Sequence, residues 1–355
     1  MSVITSKKFA PFLLEWNRTE NHRAMPWKGE KNPYFIWLSE IIMQQTRVEQ
    51  GLPYFLRFKQ KYPTVKKLAE AKEDDVMKLW QGLGYYSRAR NLHFTAKYVH
   101  ENLKGKFPDT FLELKKLKGV GDYTAAAIAS FAFGERQAVV DGNVIRVLSR
   151  VFGIDTPFDT TSGKKEFAAL AQQLIDENEP AAYNQAIMDF GALVCSPQKP
   201  QCEVCPLNKI CVAYKNNLTA VLPHREKRTK ITNRYLNYLL ITNGIEIFVQ
   251  KRTGSDIWKN LYQLPLIETE KPLKTNAEKV VSEFLGNKKV VIKNTSGEIV
   301  QLLSHRKIHF RFIEIQLQNF SSFKIINAQK VTLKQLRKLA FPKTIHLVLR
   351  ENGLV

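Results

Sequence analysis

Between residues 1 and 222 the apolar positions recur every three or four residues, the spacing that gives a helix one apolar face. The clearest stretch runs from Asn32 to Tyr62. Asn32 suits an N-cap and Pro33 the first helical position. Residues 74–84, 88–105 and 163–180 repeat the pattern, and each ends in Gly or Pro. Short helices with short connections predict a helical domain without a large sheet.

The pattern changes near residue 223. Residues 223–234 are polar and basic and read as a linker. Strand-type runs follow at 235–242, 245–252, 288–294 and 307–318, the last alternating as a half-buried strand does. Helical patterns interrupt them at 276–286 and 332–340. Residues 235–355 therefore read as a separate α+β domain. There is no internal repeat and no low-complexity segment. No run approaches the roughly 20 apolar residues that span a bilayer. The N-terminal apolar stretch is short and interrupted, unlike a secretory signal. A cytoplasmic or nuclear location with reduced thiols is expected.

A length of 355 residues agrees with two domains, and 44% hydrophobic residues are enough to build real cores. Charge changes the picture more. Lys and Arg total 54 against 33 acids, a formal net charge of +21. Such a field attracts polyanions, nucleic acid above all. A basic surface kept for solubility is the plainer alternative.

All four cysteines, Cys195, Cys202, Cys205 and Cys211, fall in one short stretch with the spacing C-x6-C-x2-C-x5-C. A reducing compartment disfavours disulfides and leaves metal ligation by thiolates. Zinc ribbons use two short knuckles across a long gap, which this spacing fits poorly. Four thiolates in one loop suit a [4Fe–4S] cluster better, although this spacing differs from the common cluster runs. Such a cluster could simply fold a loop that presents Lys199 and Lys209 to phosphate.

A second cluster of signals lies at Gly119, Val120 and Gly121, where one helical pattern ends and another begins. Glycine allows positive φ and close backbone approach. The free N–H groups of the next helix form an anion site. The turn reads as a phosphate clamp of the helix–hairpin–helix type, or else as an ordinary glycine-capped helical turn.

The hairpin, an aspartate about twenty residues later and the cysteine spacing together resemble the endonuclease III superfamily of base-excision DNA glycosylases. Residues 37–50, 80–92, 120–125, 140–150 and 188–195 closely resemble the adenine DNA glycosylase (MutY) family. The likeness covers nearly all of residues 9–222 and implies that this is a glycosylase domain with an iron–sulfur loop over 195–211. It implies double-stranded DNA with adenine opposite 8-oxoguanine or guanine as the partner, a monomer, and an abasic site as the product. By this resemblance Glu40 protonates adenine and later activates water, Asp141 supports the sugar cation, and Asn143 is a second polar group of the same site. Read without it, Glu40 is a surface glutamate and Asp141 an N-cap. Tyr123 stands where lyase enzymes of the superfamily carry a lysine. A phenol cannot form a Schiff base, so a monofunctional enzyme is implied. Gln45 and Tyr85 match side chains that wedge the duplex and fill the hole left by a flipped base. Trp27 and Gln185 match the adenine pocket.

The family ends in a Nudix-like domain that helps recognise 8-oxoguanine, and residues 258–269 resemble its strand and turn. The dense acidic helix of a working Nudix hydrolase is missing from 276–287. The recognition loop reads Leu303-Ser304-His305. Ser304 and His305 match the family, and Leu303 replaces its aromatic residue. Two rivals stand beside this reading: an endonuclease III-like glycosylase with lyase activity, and a non-catalytic DNA-binding protein with a structural metal loop.

Overall fold

The computed structural model describes residues 3–226, 231–273, 277–286, 290–317, 320–321 and 323–355. In chain order the helices before the first strand are α1 (Val3–Thr19), α2 (Pro33–Met43), α3 (Val48–Lys61), α4 (Val65–Ala69), α5 (Glu73–Trp80), α6 (Ser87–Asn102), α7 (Phe111–Leu114), α8 (Asp122–Phe133), α9 (Gly142–Phe152), α10 (Thr161–Leu174), α11 (Pro180–Leu193) and α12 (Val212–Lys215). The remaining elements are β1 (Thr232–Ile241), β2 (Glu246–Lys251), β3 (Tyr262–Gln263), β4 (Leu266–Thr269), α13 (Ala277–Phe284), β5 (Val291–Thr295), β6 (Ile299–Leu303), β7 (Arg306–Gln316), β8 (Gln329–Thr332), α14 (Leu333–Leu336) and α15 (Lys343–Glu351). No helix among the described residues is long and apolar enough to cross a membrane.

The chain divides into two compact units. One comprises Met1–Glu70 with Asn91–Lys227, the other Ala71–Arg90 with Arg228–Val355. The helical and α+β characters read from the sequence are both present. Residues 71–90 are the departure: their sequence pattern groups them with the helical stretch, yet they cluster with the C-terminal unit.

In the helical unit α2 begins as its sequence suggests, with Asn32 accepting from the Tyr34 N–H and Pro33 in the first turn. Tyr34, Ile36, Trp37, Leu38, Ile41 and Ile42 are all buried. The helical pattern from Asn32 to Tyr62 is interrupted, however. Gln45 takes a left-handed backbone with φ of 53°, which breaks the hydrogen-bond ladder, and α3 restarts at Val48. α8 packs against α2, and its buried Ala125, Ala126, Ala127 and Ala129 let the two backbones approach. α11 packs against α9 and α1.

The residues read as a linker, 223–234, are only partly described, since 227–230 lie outside the described residues. The described part is tied down: the His224 carbonyl accepts from the Phe158 N–H and the Glu226 N–H donates to Asp159. β1 already starts at Thr232.

In the other unit β7 is the central strand. It runs parallel to β1 and antiparallel to both β5 and β6, in a sheet ordered β4-β1-β7-β5. A second sheet has the order β3-β2-β8. Alternation in β7 buries Ile308, Phe310 and Phe312 in one core cluster, while Ile313 and Ile315, on the opposite face, are buried in a second. Residues 71–90 join through polar contacts. Lys78 Nζ donates to the Leu339 carbonyl at 2.8 Å, Lys251 pairs with Asp74 at 2.7 Å, and Gln81 accepts from the Phe341 N–H at 3.1 Å.

Gly163 gives a test of the helical unit. Thr160 caps α10 by accepting from its N–H at 3.1 Å, and a Cβ there would lie 2.1 Å from the Pro157 carbonyl oxygen. Alanine gains about 1 kcal/mol of helix propensity over glycine, but the backbone clash costs about 1–3 kcal/mol and cannot be relieved by a rotamer change. Gly163→Ala should lower the unfolding midpoint of the helical unit in thermal or urea melts of the full chain; an unchanged or raised midpoint would contradict the packing described.

Candidate active site

One pocket in the helical unit is lined by Glu40, Tyr123, Asp141, Asn143, Trp27 and Gln185. The structure thus brings together all six residues read from the sequence as catalytic or pocket-forming. Glu40, Trp27 and Gln185 also line an adjoining pocket with Ile36 and Phe131.

Glu40 projects from the middle of α2 and is buried. Burial pushes its carboxyl up to about 7; a hydrogen bond from Tyr123 opposes that shift and the charge of Asp141 adds to it. Tyr123 stands in the first turn of α8. Its own pKa is raised well above that of a free phenol by burial and by the two nearby carboxylates, so it stays a neutral hydroxyl. That hydroxyl also lies 3.3 Å from the Met188 sulfur.

Asp141 is the N-cap of α9. Its Oδ1 accepts from the backbone N–H groups of Asn143 and Val144, both at 2.8 Å, and its Oδ2 accepts from Asn143 Nδ2 at 2.8 Å. Burial raises the pKa of Asp141, and these donors and the charge of Arg146 offset only part of that rise. The cap and the candidate catalytic residue read from the sequence are one side chain. A helix N-terminus holding a carboxylate beside a protonated carboxyl is an arrangement for stabilising positive charge and delivering a proton.

The sequence reading missed Arg146, Arg23 and Asp189. Arg146 donates to Asn143 Oδ1 at 2.8 Å, to the Gly191 carbonyl at 2.7 Å and to the Cys195 carbonyl at 2.7 Å. It ties the helix carrying Asp141 to the end of α11 and the first cysteine. Nothing in its sequence context separates it from a solvated basic residue on an amphipathic helix. Arg23 lines the main pocket and donates to Asp189, a buried carboxylate on α11. That aspartate reads in sequence as one more polar position on a helix.

Cys195, Cys202, Cys205 and Cys211 line a single pocket with Arg150 and Leu207. Burial raises the thiols of Cys202, Cys205 and Cys211, and the charge of Cys195 adds to each shift. Arg150 binds the same loop at the Ser196 and Pro197 carbonyls, at 2.7 and 2.9 Å. Among the described residues no group of three or more His, Cys, Asp or Glu side chains is placed as a ready-made ligand set. The fit to a cluster rests on an all-sulfur donor set around one shared pocket.

At the hairpin Gly119 has φ of +83°, and a Cβ there would come within 2.7 Å of the Asn91 side chain. Val120 is buried and anchors the turn. Gly121 caps α8 without a side-chain bond, and Lys115 pairs with the acidic Asp122 of the first turn. Gln45 is exposed at its left-handed turn. In the C-terminal unit Tyr85 is also left-handed, with φ of 46°, and is half exposed. Its hydroxyl lies 3.1 Å from Ser304 Oγ. Non-glycine residues in this region of backbone space gather at functional sites. Ser304 and His305 form the exposed turn between β6 and β7, whereas Leu303 packs on the core of that unit.

Residues 38–177 match the model of the HhH-GPD superfamily base excision DNA repair proteins, and residues 237–351 match the NUDIX domain. The chain thus carries a base-excision DNA repair domain of that superfamily followed by a NUDIX domain. The adenine DNA glycosylase of Buchnera aphidicola subsp. Schizaphis graminum is 34% identical over 347 residues, covering 96% of this chain and 97% of that protein. The Homo sapiens adenine DNA glycosylase is 44% identical over 214 residues, covering 58% of this chain and 39% of that protein. The solved structure of a thermostable thymine-DNA glycosylase is 30% identical with a TM-score of 0.56, covering 60% of this chain and 98% of that one. The chain belongs to the adenine DNA glycosylase family.

The electrostatics of Glu40 can be measured directly. Its folded pKa is raised, so the carboxyl is protonated below about pH 7 and ionises as pH rises through that value. Carbon-13 NMR of labelled glutamate should show one carboxyl titrating near pH 7. In Asp141→Asn that midpoint should fall, because a neighbouring negative charge is gone. A Glu40 midpoint in the ordinary carboxylate range, or one unmoved by Asp141→Asn, would contradict the coupling described.

Proposed function

We propose that this protein removes adenine opposite 8-oxoguanine or guanine from double-stranded DNA, hydrolysing the N-glycosidic bond and leaving an abasic site. The observation that carries the reading is the buried Glu40, poised near neutrality at about 7 beside Asp141 and Tyr123.

Adenine is a poor leaving group as an anion. A carboxyl still protonated near pH 7 can donate to its ring as the bond breaks. The sugar left behind has oxocarbenium character, as in glycoside hydrolysis, and the Asp141 carboxylate stabilises that charge. Glu40, now ionised, takes a proton from the water that attacks the sugar. Tyr123 and Asn143 hold the two carboxylates in place. Because Tyr123 offers no amine, the reaction stops at the abasic site and no Schiff base forms.

The target base has to leave the stack to reach this pocket. Gln45 and Tyr85 are assigned to wedging the duplex, Trp27 and Gln185 to receiving the base, and Ser304 and His305 to reading the opposite base. Gly119, Val120 and Gly121 would bind phosphate through backbone N–H groups, which positions the enzyme without reading sequence. Cys195, Cys202, Cys205 and Cys211 would hold a [4Fe–4S] cluster. Its contribution when bound is to fix the 195–211 loop. We assign the protein to the bacterial nucleoid or the nucleus, acting as a monomer.

Glu40→Gln should lower adenine release by a factor of about 10² or more while the duplex still binds. The assay is single-turnover release from A opposite 8-oxoguanine, with and without alkali. The unmodified protein should nick the strand only after alkali, and borohydride should trap no covalent complex. Full activity in Glu40→Gln would remove Glu40 from its role, and rapid nicking with trapping would favour the lyase reading.

Anaerobically purified protein should carry about four irons per chain, as a [4Fe–4S] cluster requires. Stoichiometric zinc without iron would overturn the cluster assignment.

A further inference from the structure

Asp189 is a carboxylate that the hydrolysis above does not use. It sits within α11, its side chain is 1% exposed, and burying a carboxylate is costly unless its oxygens are paired. Each oxygen is. Oδ1 accepts from Arg23 Nη1 at 2.8 Å. Oδ2 accepts from Gln185 Nε2 and from Asn21 Nδ2, both at 2.9 Å, with Lys28 Nζ 3.7 Å away. Arg23 and Gln185 line the pocket that contains Glu40.

The chemistry of these partners fixes their orientation. A carboxylate only accepts hydrogen bonds, so Gln185 must turn its NH2 toward Asp189. Its Oε1, an acceptor, is the atom left for the pocket. Arg23 has donors only. The wall therefore offers an acceptor from Gln185 and donors from Arg23.

We propose that Asp189 is a positioning residue that sets this acceptor–donor pattern and so makes the pocket select a 6-aminopurine over a 6-oxopurine. The proposal rests on the reading that the flipped base is adenine. Adenine carries an amine donor at C6 beside ring nitrogens that accept. Hypoxanthine reverses both: O6 accepts and N1–H donates, so acceptor would face acceptor and donor would face donor. Shape hardly separates these two bases, and hydrogen-bond polarity does.

The plainer role for Asp189 is a staple holding residues 21–28 to α11. The two roles differ in Asp189→Asn. Arg23 keeps the new side chain's oxygen, so its NH2 stands where Oδ2 was. It then draws the Gln185 oxygen to itself and turns the Gln185 NH2 into the pocket. A staple loses activity on every base alike; a polarity switch changes the preference between bases.

The test is single-turnover excision by the full-length protein from duplexes with adenine or hypoxanthine opposite 8-oxoguanine. In Asp189→Asn the ratio of the adenine rate to the hypoxanthine rate should fall by about tenfold to a hundredfold, the range for one misplaced base-edge contact. Gln185→Met removes the acceptor and leaves the buried carboxylate; it should narrow the ratio similarly, and the double variant should narrow it no further. An unchanged ratio in Gln185→Met overturns the proposal whether or not Asp189→Asn folds. An equal fall on both bases in Asp189→Asn leaves only the staple and overturns it as well. If the unaltered protein releases no adenine, the functional reading falls and takes this one with it. Adenine release with unmoved ratios overturns this assignment alone.

Discussion

The constraint on which the active site depends is the desolvation of Glu40. A glutamate in the middle of a helix ordinarily faces water and is ionised at neutral pH. Here the same apolar face of α2 that drives folding, Ile36, Trp37, Ile41 and Ile42, carries the carboxyl inward. Burial is the largest cause of the rise in its pKa. The Tyr123 hydrogen bond favours the ionised form, and Asp141 favours the protonated one. The balance comes out at about 7, which suits the proton donor and acceptor proposed for this position. Folding energy and the raised pKa of Glu40 thus come from one packing event.

Asp141 answers a different demand. Burial raises the pKa of Asp141, so its charge needs donors that offset part of that rise. The start of α9 does this with two backbone donors, and Asn143 adds a third. Arg146 then fixes Asn143 and binds the carbonyls of Gly191 and Cys195. Gly191 has to be glycine-small, since a Cβ there would lie 2.7 Å from the Asn143 side chain and 3.0 Å from its carbonyl oxygen. The close approach of α11 to α9 and the anchoring of the cysteine loop are therefore parts of the same support for one carboxylate.

Much of this was legible in the sequence because the relevant signals are local. Asn32 and Pro33 announce α2, glycines bracket the hairpin, and an aspartate before a helix announces a cap. The candidate catalytic residues came from resemblance, since a lone Glu40 in a helix carries no chemical signature. What could not be read depends on side chains meeting across the fold. The left-handed Gln45 splits one helical pattern into α2 and α3, although its neighbours favour a continuous helix. Arg146 and Asp189 look like solvated helix positions until α9, α11 and the loop at Arg23 come together. The assignment of residues 71–90 was hidden for the same reason: their apolar spacing is ordinary helix, and only their polar partners say which core they serve.

Those partners bear on how the C-terminal unit is built. Glu73 accepts from Asn260, Asp74 pairs with Lys251, and Lys78 and Arg90 donate to the carbonyls of Leu339 and Lys259. Each contact joins the first hundred residues to the last hundred and thirty, so the unit is assembled from segments far apart in sequence. A cut at residue 228 would leave two acids and two cations on this segment without their partners, and would leave two carbonyls of the C-terminal segment without their donors. Surface ion pairs contribute little singly, but three polar contacts along α5 and a fourth from Arg90 on α6 together fix the segment's orientation. The segment they fix carries Tyr85, held in a left-handed backbone with its hydroxyl against Ser304. The exposed aromatic ring and the exposed β6–β7 turn therefore belong to one body. A substitution at α5 can displace Tyr85 from Ser304 without touching either.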